Sequence, residues 1–380
     1  MTSVEQPQVC KDLISKRMVT AAPGIQRRPR PTIQAALGVL AIAGGLVSVA
    51  CQVPVSAPSS HQFSGPTMGT RYNIEIVISD MSSQRLVELR GVVEEVLGDV
   101  NAKMSNYLQD SEVARLNLAP GNEAFPVSAD LLEVLLHARE ISETTGGAFD
   151  ITVAPLVGAW GFGPAGRPIE QPTAEQIERL RALTGWQKLE IDRASSTVTK
   201  ALDELTIDLS AIAKGFAVDR VADALDREGV PNYMVEVGGE VKTKGVNAQE
   251  DPWRIGIERP LPNEQAIDLI VPLSGMAMAT SGDYRNYYEI DGRRLSHSID
   301  PRTGSPITHN VASVSVIAPL CVRADAYATG LLVLGSDGYD LAEELGLAAY
   351  FLQRDKEGLF VGRMTTAFKQ ILESGNRDGS

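Results

Sequence analysis

The chain has few of the residues that build soft metal sites or disulfide frameworks. Its 380 residues include three cysteines, Cys10, Cys51 and Cys321, and four histidines, His61, His137, His297 and His309. Three cysteines cannot make a disulfide framework or a cysteine-rich zinc site, and the histidines lack H-E-x-x-H or related spacing. Any catalytic metal is therefore expected to be a hard cation on oxygen ligands, with magnesium the first choice. Basic charge is scarce too: 35 Lys and Arg against 48 Asp and Glu give a formal net charge of −13. The conspicuous basic cluster, Arg27, Arg28 and Arg30, lies in an N-terminal segment that reads as removable. These features argue against nucleic acid as a partner, because phosphate backbones are bound through clustered Lys and Arg. A composition 43% hydrophobic and 22% charged excludes a fibre or a multi-span membrane protein.

What is present at the N-terminus is an address. Arg27, Arg28 and Arg30 lead into the apolar stretch Ala35 to Ala50, then Cys51 and a polar, Pro-rich segment. That order is a charged region, a hydrophobic region and a processing site. Leu46-Val47-Ser48-Val49-Ala50 before Cys51 resembles a lipobox, with Ser48 where Leu is usual. The expectation is an exported chain anchored on the periplasmic or extracellular side of the cell (inner) membrane through lipidated Cys51. An uncleaved anchor and a cytosolic protein are the alternatives. Residues 1–51 are read as the export segment, 52–64 as a linker, 65–372 as one domain and 373–380 as a disordered tail.

Within the domain, strands and helices interleave. Tyr72, Ile74, Ile76 and Ile78 alternate as in a half-buried strand. Leu86 to Lys103 and Ser128 to Thr145 read as amphipathic helices, and Thr173-Ala-Glu-Gln176 as a capping box opening a helix that stops at Gly185. Short strands are expected at 189–191, 197–199 and 206–209, then a helix from Ala213 to Arg227. Gly238-Gly239 and Asp291-Gly292 mark hairpins, around strands 233–237 and 241–244 and around 284–290 and 293–299. Trp253 to Glu258 alternates, Val311 to Ile317 is a strand, and helices follow at Ala324 to Leu334 and Asp337 to Leu345. Hairpins demand antiparallel pairing, so the fold class is α+β (mixed α/β), with antiparallel-rich sheets flanked by helices. Gly161-Phe-Gly163-Pro-Ala-Gly166 matches G-x-G-x-x-G, but no strand precedes it and no helix follows, so it is no nucleotide fingerprint. It reads as a flexible Gly-rich loop beside a site.

Six segments combine small residues with a carboxylate, hydroxyl or aromatic. They are Thr67-Met68-Gly69-Thr70, Met104-Ser-Asn-Tyr107 with the stretch to Asn117, Thr145-Gly-Gly-Ala148-Phe149-Asp150-Ile-Thr152, Ile207-Asp208-Leu-Ser-Ala211-Ile-Ala-Lys214-Gly215, Ser296-His297-Ser298-Ile-Asp300-Pro-Arg-Thr-Gly304 and Ala324-Asp325-Ala-Tyr-Ala-Thr329-Gly330. Asp325 and Thr329, four apart on a helix, share a face and could share a hard ion. Unaided, the pair reads equally as a dipole-favoured Asp and a Thr bonded back to its own helix. Tyr107 could stack on a flat ring or fill a core, and Asp208 could be an ordinary cap. His297 is the best-suited general base among the histidines, beside the Asp300-Pro301 turn, with a structural histidine as the alternative.

Together and in this order, the segments from about Met68 to Gly335 resemble the ApbE family of FAD:protein FMN transferases. The resemblance implies a magnesium ion on Asp325, Thr329 and the position of Ala211, which can give only its backbone carbonyl. It implies FAD contacts from Met68, Tyr107, Ala148, Phe149, Asp150, Asp208, Lys214 and Ser298. It further implies transfer of FMN from FAD to a threonine hydroxyl of a partner protein, a subunit of a membrane redox complex, with AMP released. An FAD pyrophosphatase and a non-catalytic flavin-binding lipoprotein are the competing readings.

Overall fold

A computed structural model describes residues 59–163, 166, 170–261, 266–283, 287–290 and 293–377. The export segment with Cys51, residues 52–58 of the linker, Pro164, the Asp291-Gly292 turn and residues 378–380 lie outside the described residues. The body of the fold is an eight-stranded sheet among these residues. Its strands are Ser59–Thr67 (β1), Thr70–Ile78 (β2), Tyr233–Val237 (β3), Glu240–Lys244 (β4), Ala277–Gly282 (β5), Val311–Ala318 (β6), Ala348–Arg354 (β7) and Phe360–Met364 (β8). They lie side by side in chain order, and every neighbouring pair is antiparallel.

Helices cover one face of the sheet. They include Ser83–Met104 (α1), Ala129–Thr144 (α2), Ala213–Arg227 (α3) and Cys321–Leu334 (α4). Leu89, Val93, Leu97 and Val100 of α1 recur at helical spacing and are buried in one cluster with Ile74 and Ile76 of β2 and Val314 and Val316 of β6. The other face carries a second core. Val77, Val241, Met278, Ile317 and Tyr350 point there, against Trp253, Ile255, Val271 and Leu273 of a separate two-stranded ribbon, Trp253–Glu258 with Ile267–Leu273, and Phe368 of the C-terminal helix Thr366–Arg377. A sheet covered on both faces explains why β6 is buried along its whole length, Ser313 and Ser315 included.

The α+β class with antiparallel sheets flanked by helices is as expected. The strands Ile267–Leu273, β5, β7 and β8 and the helix Thr366–Arg377 have no counterpart among the expected elements, and several expected segments differ. Ser59 to Ser64 belong to β1, held by pairing from Ser59 opposite Ile78 to Thr67 opposite Thr70, so Ser and Pro content did not prevent a strand where a partner edge was present. The segment 206–209 joins no ladder. The Asn117 side chain takes the place of a partner strand, donating to the Ile207 carbonyl at 3.0 Å and accepting from its N–H at 2.7 Å. At the C-terminus, residues 373–377 belong to the last helix, not to a tail. The capping box at Thr173 forms as expected, with its side chain and that of Gln176 each serving the other's backbone N–H. Among the described residues no helix is long and apolar enough to cross a membrane.

Candidate active site

A cavity of about 840 Å³ opens where α3, α4, the β3–β4 hairpin and β5 converge. Glycines make that convergence possible. Gly215, in the first turn of α3, lies so close to α4 that a Cβ there would sit 2.4 Å from the Cys321 carbonyl oxygen and 2.8 Å from the Asp325 Cβ. The close approach lets the Gly215 N–H donate to Asp325 Oδ2 at 2.9 Å. Gly330 does the same on the other side of α4: a Cβ there would meet the Thr145 side chain at 2.9 Å and Phe149 Cβ at 3.1 Å. The Ala148-Phe149 wall and Thr329 are thereby brought to one cavity.

Asp325 is buried and stands a full turn inside α4, so it is not a cap; the first turn of α4 is served by Asp219 of α3, whose Oδ2 accepts from the Val322 N–H at 2.9 Å. Thr329 Oγ1 lies 2.9 Å from Ser281 Oγ on β5, a sideways hydroxyl pair. Lys214 Nζ lies 2.7 Å from Glu240 Oε1 and 3.6 Å from Asp325 Oδ1. Burial opposes the charge of Lys214, but the two carboxylates outweigh it and raise the ammonium's pKa above its ordinary value. Burial pushes Glu240 up to about 8, against the pull of Lys214 and with the push of Asp325. Among the described residues Glu240 Oε2 is buried without a hydrogen-bond partner.

Of the residues singled out in the sequence, Tyr107, Ala148, Phe149, Asp150, Asp208, Ala211, Lys214, His297, Ser298, Asp325 and Thr329 line this cavity. Tyr107 is 73% exposed at it, which excludes the core reading and leaves the ring available to stack. Asp208 turns the chain into α3: its Oδ1 accepts from the Ser210 N–H at 2.8 Å and the Ser210 hydroxyl at 2.5 Å. Asp150 is tied internally. Its carboxylate accepts from the N–H and hydroxyl of Thr152 at 2.8 and 2.7 Å and from the Trp186 N–H at 2.9 Å, and burial raises its pKa.

Met68 is not among the residues lining the cavity. It takes a φ of +46° beside Gly69 at +71° in the two-residue turn between β1 and β2, and its side chain packs against the main core. Lys214 is engaged by two carboxylates, an arrangement its sequence context did not announce. Glu240 and Ser281 line the cavity and were missed; Phe162 lines it too, from the Gly-rich segment expected beside a site, though the residue itself was not singled out. Glu240 had one available signal, as the residue directly after the Gly238-Gly239 turn; Ser281 had none, since a serine near a strand end is ordinary.

The ApbE family model matches residues 68–351. A FAD:protein FMN transferase of Haemophilus influenzae is 43% identical over 342 residues, covering 89% of this chain and 98% of that protein. The Vibrio cholerae FAD:protein FMN transferase is 42% identical over 339 residues, 88% of this chain and 98% of that protein. The solved structure titled flavin transferase ApbE from Vibrio cholerae superposes with a TM-score of 0.76 at 42% identity, over 82% of this chain and 99% of that one. Pseudomonas stutzeri flavinyl transferase ApbE, apo form, gives 0.75 at 43%, over 83% and 97%. On matched length, identity and superposition together, the chain belongs to the ApbE family.

Proposed function

We propose that the chain is a magnesium-dependent enzyme that transfers FMN from FAD to a threonine hydroxyl of an acceptor protein, releasing AMP. The observation that carries this reading is the grouping of Asp325, Thr329, Ala211 and Lys214 in one cavity with an exposed aromatic ring and a histidine. The activity named for the relatives supports it, because this chain spans nearly their whole length.

The donor set suits magnesium. A buried carboxylate, a hydroxyl and a backbone carbonyl are hard oxygen donors, the kind that ion takes while keeping waters and binding phosphates. Among the described residues no three His, Cys, Asp or Glu side chains are grouped to hold a metal. Asp325, Thr329 and the Ala211 carbonyl would therefore hold the ion with only one carboxylate. When bound, magnesium supplies charge neutralisation at the pyrophosphate.

The chain's own groups do the rest. Tyr107 offers a flat face for a ring of FAD. Lys214 adds positive charge near the phosphates, its position fixed by Glu240. His297 accepts the proton of the attacking threonine hydroxyl, and the phosphate on the FMN side is attacked as AMP departs. The acceptor is a subunit of a membrane redox complex, and anchoring through lipidated Cys51 would place the enzyme beside it. A diacylglyceryl mass on an N-terminal Cys51 is expected in the mature protein; a mature chain that still begins upstream of Cys51 would rule the lipid anchor out.

The central test incubates the full chain, FAD and magnesium with and without a threonine-bearing acceptor domain and reads flavin fluorescence in a denaturing gel. Covalent labelling that requires magnesium and disappears in Asp325→Ala is the expected result. Release of FMN and AMP with no labelling would make the protein an FAD pyrophosphatase instead.

A further inference from the structure

The G-F-G segment that resembles a nucleotide fingerprint has a different task in the fold. Helix Ala154–Ala159 ends at Trp160, and Gly161, at a φ of +84°, turns the chain back so that the Phe162 N–H donates to the Val157 carbonyl at 3.0 Å. Gly163 keeps this turn tight: a Cβ there would lie 3.1 Å from Gly158 Cα. The result presents Phe162 to the cavity. Its ring stacks on Tyr288, centroids 4.7 Å apart at 23°, and meets the His297 ring edge-on, 6.2 Å away at 66°. The Tyr288 hydroxyl donates to the Trp160 carbonyl, closing the unit. Beneath it, Leu156, Trp160 and Ile299 form a small cluster separate from the two cores of the sheet, and Trp160 Nε1 donates to the Gly304 carbonyl at 2.8 Å.

We infer that Phe162 is a positioning residue for His297, its ring held by Tyr288 and limiting the orientations open to the imidazole. The inference rests on the reading of His297 as the proton acceptor. His297 sits on a short link between the strands Arg293–Ser296 and Ile299–Asp300. Packing of Phe162 against its side restrains the ring there, because an edge-to-face aromatic contact favours one orientation over others. A base must reach the hydroxyl within hydrogen-bonding distance, so small ring displacements act on the chemical step rather than on FAD binding.

The test measures FMN transfer to the acceptor domain by the full chain, with Phe162→Leu, Phe162→Tyr, His297→Asn and the double variant Phe162→Leu/His297→Asn. Phe162→Leu should lower kcat by roughly 10- to 100-fold with KM for FAD unchanged. Phe162→Tyr, which keeps the ring, should restore most of the rate. In the His297→Asn background, adding Phe162→Leu should cost nothing further. Equal losses in both backgrounds, or a raised KM for FAD with kcat intact, would overturn the positioning role while leaving His297 as the base. Full activity in His297→Asn would overturn the role of His297 and the inference with it.

Discussion

At the scale of residues, the site is a small electrostatic system built on Lys214. One ammonium serves two buried carboxylates, Glu240 at 2.7 Å and Asp325 at 3.6 Å. Breaking a buried pair by removing one partner strands the other charge, which costs about 3 to 5 kcal/mol. Lys214→Met should therefore lower stability by about 3 kcal/mol, read as the shift in a urea melt. The effect should depend on pH. Glu240 is an acid whose folded pKa is raised to about 8 from 4.5, so its contribution to stability is present below the lower value and is lost as pH rises through that window. Without Lys214 the carboxyl is harder still to ionise, so the variant should lose more at pH 9 than at pH 6; an equal loss at both would show that the Glu240 charge is not the cause. The positive φ of Met68 beside Gly69 is another residue-level fact, and it explains why a motif can include a side chain that does not line the cavity: the turn needs the conformation, and the side chain packs elsewhere.

At the scale of elements, the crossing of α3 over α4 decides whether the site exists. Gly215→Ala would drive a methyl into the Cys321 carbonyl and Asp325, and should destabilise the protein by about 2 kcal/mol or more while weakening magnesium-dependent labelling. Gly98→Ala is the matched control. Gly98 is exposed on α1 with nothing within 4 Å of an added Cβ, so the change should raise stability by up to about 1 kcal/mol. If both substitutions were harmless in denaturant melts, close helix packing at Gly215 would not be a requirement of the site. The β3–β4 hairpin is the complementary element: Gly238 and Gly239, both at positive φ, reverse the chain so that Glu240 lies opposite Val237 and joins the cavity wall.

At the scale of the whole molecule, a single antiparallel sheet with a core on each face holds together segments far apart in the chain. His309 illustrates this: its ring packs where Gly335 ends α4, and burial holds its pKa below the ordinary 6.5. The unfolded chain then binds the proton more readily, so stability is lost as pH falls below about 6.5. His309→Leu should show a shallower fall in Tm on acidification than the parent, and an unchanged slope would remove His309 from the account. Periodicity and turn chemistry alone marked the amphipathic helices, the Gly238-Gly239 hairpin, the capping box at Thr173 and the strand from Val311, because each depends on neighbours close in sequence; they left unmarked β5, β7 and β8 of the same sheet. The family resemblance likewise lay in short local segments, and those segments converge. What the sequence could not decide was which groups meet across it. The pairing of Lys214 with Glu240, the contact of Ser281 with Thr329, the strand at Ser59, the substitution of Asn117 for a strand beside Ile207, and Phe162 against His297 all join residues brought together only when the sheet closes. Ion pairs, hydroxyl pairs and ring contacts act over a few ångströms in space and leave no periodic trace along the chain.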